Sequence, residues 1–406
     1  AGLPQRPSAH APAIDETPAR ARQAYVLGRM VEDGWISWAE ADAAAARAIQ
    51  VLPAVQPPVA HQFVSYALAE LARARPDLAG RRGLVIETTL DSGLQLEAER
   101  LVALHLDGLA DRNVTNAAVV VLEPGSGRIL VMVGSATDGD PAHGGQINMA
   151  LEPRQPGSAL KPLLYAAAFE RGFTPASSLL DVPTTFSTDR GPYAPLNFDR
   201  TFHGVVPLRT ALASSLNVPA VRTLDEIGRD ALLEIAHRFG LSTLSRAESY
   251  GLALTLGGGE VRLLDLTSAY AALGASGRLS EPFAVVHVRD REGRVVYQRP
   301  PADARAVLSA EHAYLLADIL SDADARVPGL GPMTPFELPF RVAAKSGTST
   351  ALRDTWSLGY TPEIAVGVWV GNADGSSMVD VSGIEGAGPI WRDVMMATAL
   401  GRRMTW

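Results

Sequence analysis

QPGSALKPL, residues 155–163, contains one of only two lysines in a chain of 406 residues with 36 basic side chains. The other is Lys345, within AAKSGTST at 343–350; arginine fills the remaining 34 positions. Arginine keeps its proton above pH ~12 and serves as a fixed cation or bidentate clamp. Lysine can be brought to lose its proton near neutrality by burial and by neighbouring cations. A chain that has drifted to arginine should retain lysine where a proton must leave or a compact ammonium is required. The competing account is chance survival under a compositional bias, and context decides between them.

Outward from Lys161, Ser158 lies three residues earlier and Pro156-Gly157 reads as a loop entering a helix. LKPLLYAAAFERG continues that helix, with Gly172 as its stop. Residues i and i+3 share a helix face with Cβ atoms ~5–6 Å apart, so the amine should reach the serine hydroxyl. At a helix N-terminus Ser158 would have free amide donors and the positive dipole end beside a developing oxyanion. Pro162 sits in the first turn, where a missing donor costs least. Lys345 opens Lys345-Ser346-Gly347-Thr348 at the end of an expected strand. A phosphate loop needs glycines before the lysine, whereas Ala343 and Ala344 stand there. Between the lysines, ALASSLNVPA carries Ser215-Leu216-Asn217.

The remainder of the chain frames these segments. ARARQAYVLGRMVEDGW (19–35) and SWAEADAAAARAIQ (37–50) have helical periodicity, with Ser37 and Glu40 spaced as a capping box. A proline-rich link, LPAVQPPVA, precedes a helix at HQFVSYALAELARA, and LVIETTLDSGLQLEAERLVALHL passes from a β run into an amphipathic helix. AAVVVLEPGSGRILVMVG (117–134) reads as two strands around Pro-Gly-Ser-Gly, which explains Gly125 and Gly127 better than a phosphate loop does. Residues 158–275 read as mostly helical. FRVAAKSGTS, DTWSLGY and EIAVGVWVG then return to strands, and GPIWRDVMMATAL to a helix. The expected fold class is mixed α/β: an antiparallel sheet closed by early and late segments, flanked by helices, with a mostly helical subdomain.

Composition sets limits. Charged residues at 20% and apolar residues at 47% describe an ordinary globular chain. A net charge of −8 offers no basic face to nucleic acid, and the absence of cysteine excludes disulfides and thiolate sites. No apolar run reaches the ~18 residues of a membrane span, and AGLPQRPSAHAP is not a signal peptide. The non-methionine start leads us to expect that an export signal and anchor precede residue 1 in the native protein.

The order S-x-x-K, S-x-N, K-[ST]-G, using both lysines, resembles the transpeptidase domain of class A penicillin-binding proteins. The likeness runs from about Leu84 to Ala399, through TTLDSGLQ, QPGSALKPLLYAAAFERGF, SSLNVPAV and RDTWSLGYTPEIAVGVWVGN. DVPTTF and YAPLNFDRTFHGVV resemble the 1C-type subgroup. LPQRPS and ARQAYVLGRMVEDGWIS resemble the tail of the glycosyltransferase domain that precedes it, whose catalytic part would lie upstream. The resemblance implies residues 1–80 as that tail and linker, residues 81–406 as the transpeptidase domain, and the fold of the penicillin-binding protein and serine β-lactamase superfamily. The 1C-type proteins usually carry a further C-terminal domain beyond the part matched.

It further implies a D,D-transpeptidase that cross-links peptidoglycan stem peptides through a serine acyl-enzyme, without metal or cofactor. It would be inhibited by β-lactams and lie on the extracytoplasmic face of the membrane. Carried over by motif, Ser158 is the nucleophile and Lys161 its general base. Ser215 relays a proton to the leaving amine, Asn217 positions the substrate amide, and Lys345 supplies positive charge. Ser346 and Thr348 would bind the substrate carboxylate, with Gly347 and Ser349 beside them, and the backbone amides of Ser158 and Thr348 would form the oxyanion hole. Two departures stand out. Ser346 occupies a position where threonine is commoner, and no E-x-x-L-N stretch follows S-x-N as in class A β-lactamases. Without a placed water the acyl-enzyme should persist until an amine arrives. The alternatives are a D,D-carboxypeptidase or β-lactamase using water, and a non-catalytic muropeptide-binding module. The eight histidines, LTLGGGEV, Asp374, Trp356 and Trp369 read as packing, turn or surface residues.

Overall fold

The hairpin expected over 117–134 forms as antiparallel strands Asn116–Leu122 and Ile129–Val133, with Val121 opposite Val131. The molecule is described here by a computed structural model covering Pro12 and residues 15–49, 60–137, 140–188, 191–245, 247–301 and 303–406. Strands Ala343–Thr348, Asp354–Tyr360 and Ala365–Gly371 complete a five-stranded antiparallel sheet, in which the early hairpin pairs with Ala365–Gly371 and Ala343–Thr348 is an edge. Early and late segments thus close one sheet, as expected.

Every residue of Asn116–Leu122 is buried, because helices cover both faces and side chains alternate between them. Ala117, Val119 and Val121 pack with Leu101 and Val102 of helix Ser92–Asp107 and with Ile390, Trp391 and Val394 of helix Ala387–Ala399. Ala118, Val120 and Leu122 belong to the other core cluster, with Leu266, Tyr270 and Leu273 of helix Leu263–Gly274 packed against that face. Trp356 and Trp369 are fully buried in the sheet, as their strand context suggested.

Helix Lys161–Phe169 is buried along all its residues, so it forms the centre of the helical subdomain. Around it lie helices Leu208–Ala213, Asn217–Ile227, Arg229–Arg238, Ala310–Leu320 and Ala323–Leu330. The middle of the chain is less uniformly helical than its sequence suggested. Two short ribbons interrupt it, Ser178–Asp181 with Gly204–Pro207 and Phe186–Thr188 with Gly191–Tyr193. Val85–Thr88 joins Val285–Arg289 and Val295–Gln298 in a second small sheet.

The chain divides into two compact units, Ala1–Pro58 and Val59–Trp406. In the first, helices Glu16–Glu32 and Trp38–Ala46 form as read, and the Ser37–Glu40 capping box is present. The proline-rich link lies outside the described residues, Ala60 apart. Helix His61–Ala74 belongs to the second unit because Phe63, Ala67 and Leu71 enter its core, so compactness divides the chain earlier than the 80/81 boundary drawn from resemblance.

Candidate active site

Ser158 lies in a single 3₁₀ turn, Gly157–Leu160, that runs directly into helix Lys161–Phe169. This turn is pressed against the sheet edge by two residues without side chains. A Cβ on Gly157, whose φ is +55°, would stand 2.3 Å from the Thr348 carbonyl oxygen; one on Gly347 would stand 2.1 Å from that of Pro156. Backbone meets backbone there, so the amides of Ser158 and Thr348 come from neighbouring segments. Two long-range bonds hold the approach: Trp356 Nε1 donates to the Gln155 carbonyl at 2.8 Å, and the Tyr270 hydroxyl donates to that of Ala159 at 2.8 Å.

A cleft of about 240 Å³ opens at this junction, lined by Ser158, Ser215, Asn217, Ser346, Gly347, Thr348 and Ser349 among others. Seven of the sequence-selected residues therefore share one surface. Lys161 and Lys345 lie beneath it, 0% and 2% exposed. Ser215 joins them. Its backbone is left-handed, φ +59°, a conformation costing a non-glycine residue ~1–2 kcal/mol. Its carbonyl accepts from Lys161 Nζ at 2.6 Å and its hydroxyl from Lys345 Nζ at 2.7 Å.

Lys161 also donates to the Leu216 carbonyl at 3.1 Å and to Asn217 Oδ1 at 2.8 Å, with Ser215 Oγ at 3.5 Å. The expected bond to Ser158 is thus replaced, in this arrangement, by oxygens of the S-x-N turn. The reason is burial: an enclosed amine must place its protons on acceptors, and three carbonyl-type oxygens are at hand. Lys161 is held well below its ordinary pKa, first by burial and then by the charge of Lys345, with Asp181 opposing. Lys345 is lowered to about 7, by burial first and by Arg326 second. Both amines therefore release a proton more readily than an ordinary lysine, Lys345 near neutrality, as arginine could not.

Along the edge strand, Thr348 Oγ1 accepts from the Gly383 amide at 2.9 Å, leaving its proton for a ligand. Ser349 differs. Its hydroxyl is engaged with Asp354, donating to Oδ2 at 3.0 Å and accepting the Asp354 amide at 2.9 Å, so it lines the cleft while closing the strand end. Among the described residues no three His, Asp or Glu side chains are grouped to hold a metal ion.

Sequence reasoning missed several participants. Phe198, 71% exposed, and Leu256, Leu330 and Ile384 form apolar wall of the cleft. Arg326, buried and paired with Glu337 at 2.8 Å, supplies the fixed charge acting on Lys345. Asp181 and Asn197 stand behind the S-x-N turn. These residues lie far from the motifs along the chain, and only tertiary packing brings them in.

The family model described as penicillin binding protein transpeptidase domain matches residues 117–396. Penicillin-binding protein 2D of Bacillus subtilis is 31% identical over 97% of this chain and 58% of its own length. Penicillin-binding protein 1C of Escherichia coli is 31% identical over 97% of this chain and 47% of its own. The chain thus spans about half the length of the curated relatives it matches. PonA1 of Mycobacterium tuberculosis, solved in complex with penicillin V, superposes with a TM-score of 0.73 at 24% identity, over 85% of this chain and 94% of that one, and shares the fold.

Proposed function

The chain belongs to the penicillin-binding protein transpeptidase family, and from that premise we propose that it is a serine D,D-transpeptidase acting on the D-Ala–D-Ala ends of peptidoglycan stem peptides. The observation that carries this reading is Ser215, bound through its carbonyl to one buried lysine and through its hydroxyl to the other, in the cleft that holds Ser158.

Ser158 Oγ attacks the carbonyl carbon of the penultimate D-Ala while its proton passes to the neutral amine of Lys161. Negative charge collects on the former carbonyl oxygen, between the Ser158 and Thr348 amides; one such donor is worth ~10²–10³ in rate. The tetrahedral species collapses, the peptide C–N bond breaks, and the leaving nitrogen takes the Ser215 hydroxyl proton. Ser215 is reprotonated through the lysines it touches. Lys345, Ser346 and Thr348 hold the terminal carboxylate, so the scissile bond faces Ser158. A side-chain amine of a neighbouring stem then attacks the ester, forming the cross-link and freeing Ser158. A β-lactam enters as a cyclic mimic and its acyl group stays on Ser158; PonA1 with penicillin V is a structural precedent for such a ligand in this fold.

By the same reading residues 81–406 are the catalytic domain and residues 1–80 the tail and linker of a preceding one. Among the described residues no helix is long and apolar enough to cross a membrane. The substrate places the protein at the extracytoplasmic face, held by a segment outside the residues given. Intact-mass measurement after benzylpenicillin, with peptide mapping and decay of the adduct, tests the proposal. One adduct on Ser158 lasting hours, absent in Ser158→Ala, is the expected result. Hydrolysis of penicillin with turnover in minutes would move the assignment to a hydrolase, and no adduct would leave only a binding module.

A further inference from the structure

Asp181 ends the strand Ser178–Asp181, is completely buried, and has no part in the motif chemistry. A buried carboxylate is costly unless its lone pairs are taken. Here they are. Asn197 Nδ2 donates to both carboxylate oxygens at 2.8 Å, and His203 donates its amide at 2.9 Å and stands with Nδ1 2.7 Å from Oδ2.

Asn197 carries the connection forward. Its Oδ1 accepts the Asn217 amide at 2.7 Å and the Val218 amide at 3.4 Å. These are unpaired donors at the start of helix Asn217–Ile227, whose own N-cap, Leu216, has no side chain to offer them. Asn197 therefore caps that helix from a distant segment, and Asn217 Oδ1 in turn accepts from Lys161. A continuous path runs from Asp181 through Asn197 and Asn217 to the amine of Lys161.

We propose that Asp181 is a positioning residue of the acylation site: through Asn197 it holds Asn217 against Lys161. The inference rests on the role given to Lys161 above. The charged or titratable groups around the path are Lys161, His203 and Tyr165 about Asp181; Asp199 at 3.7 Å from His203; and Lys345 about Lys161, with Arg326 behind it. The Asp181 anion favours the ammonium form of Lys161, so removing the charge should let the proton leave at lower pH.

Two variants separate the two contributions. Asp181→Asn keeps the shape and removes the charge; Asn197→Ser keeps the charge and His203 but removes the cap on Asn217. With only two lysines, ¹³Cε-lysine labelling gives two side-chain signals, assigned with Lys345→Met, and reads Lys161 directly whether or not the protein acylates. In Asp181→Asn the Lys161 titration and the acid limb of the acylation–pH profile should both move to lower pH, as expected for loss of an opposite charge. In Asn197→Ser the limb should stay and the plateau rate fall at least tenfold. A Lys161 titration unmoved in Asp181→Asn, or an Asn197→Ser plateau within twofold of wild type, overturns the inference. Should Asp181→Asn fail to fold, the Asn197→Ser plateau decides alone. A wild-type protein that never acylates, yet whose Lys161 titration moves in Asp181→Asn, refutes the proposed function and leaves the link from Asp181 to Lys161 standing.

Discussion

In a Lys345→Met variant the buried ammonium is gone and a side chain of similar length remains. Lys345 loses its proton at about 7 in the folded protein against an ordinary value of 10.5, chiefly because burial disfavours the ion. The unfolded chain therefore binds more protons than the folded one between those values, and this group's contribution to stability rises with pH across that window. The penalty is fully present below pH 7 and vanishes above 10.5. From these two values it amounts to roughly 4 kcal/mol at pH 7 and roughly 2 kcal/mol at pH 9. Methionine removes it, and Lys161, relieved of a neighbouring charge, changes in the same sense. Against this, the Ser215 hydroxyl and Ser346 carbonyl lose a donor, a pH-independent cost of ~1–2 kcal/mol. The variant should thus be more stable than wild type by about 2–3 kcal/mol at pH 7, with the difference shrinking by about 2 kcal/mol at pH 9. Penicillin acylation should fall at least ~100-fold. Urea unfolding followed by tryptophan fluorescence at the two pH values measures the difference. A gap that does not change between pH 7 and 9, or a variant less stable at both, refutes the reasoning.

Lys161→Arg should acylate ~10²–10⁴-fold more slowly, and raising the pH to 9.5 should not rescue it, because guanidinium cannot act as a base; stopped-flow with a fluorescent penicillin reads both. Gly157→Ala should lower stability by ~1–3 kcal/mol and slow acylation, since its Cβ would press on Thr348. Gly125→Ala, also at positive φ but with nothing within 4 Å, should cost only ~1 kcal/mol and leave acylation unchanged; equal effects in the two would remove the argument from close approach. Phe198→Ala should keep the melting temperature and kcat while raising the KM for a D-Ala–D-Ala donor several-fold, because the ring is exposed yet lines the cleft; steady-state kinetics of D-Ala release checks this.

The sheet was legible because its central strands are buried on both faces, which forces near-continuous apolar runs such as AAVVVL and AVGVWV. The cleft was legible because its motif residues stand at short spacings within three segments, a helical turn, a loop and an edge strand. The ribbons at 178–207 were not, since strands of three or four residues carry too few positions to show a period. The roles of Asp181 and Asn197 were invisible for another reason, although both lie in stretches that carry the family likeness. A buried polar network has no sequence period, and its donors and acceptors are chosen by tertiary neighbours: Asn197 caps a helix that starts 20 residues later. Ser349 shows the limit of reading by adjacency. It sits beside Thr348 in sequence and in the cleft, yet its hydroxyl belongs to Asp354.

The distribution of arginine and lysine follows from the same distinction between fixed and removable charge. Arg326 is as buried as the lysines, but it is paired with Glu337, donates to the Leu320 carbonyl at 2.8 Å, and lies over the Phe336 ring. A permanent cation can be accommodated there because its partners are permanent too. Lys345, which feels that charge, donates to no carboxylate in its hydrogen bonds; they go to a serine hydroxyl and a carbonyl, groups that stabilise an ammonium without locking it. Lys161 is treated likewise, with uncharged oxygens at bonding distance and the Asp181 anion kept two asparagines away. Were a carboxylate bonded directly to either amine, the proton would be held too tightly to leave near neutrality. Removing Arg326 should accordingly raise the pH at which Lys345 deprotonates: in Arg326→Met, with Glu337→Leu to avoid an orphaned carboxylate, its lysine NMR titration should move upward. A midpoint that stays or falls would mean that burial alone sets the Lys345 charge and that the arginine is merely structural.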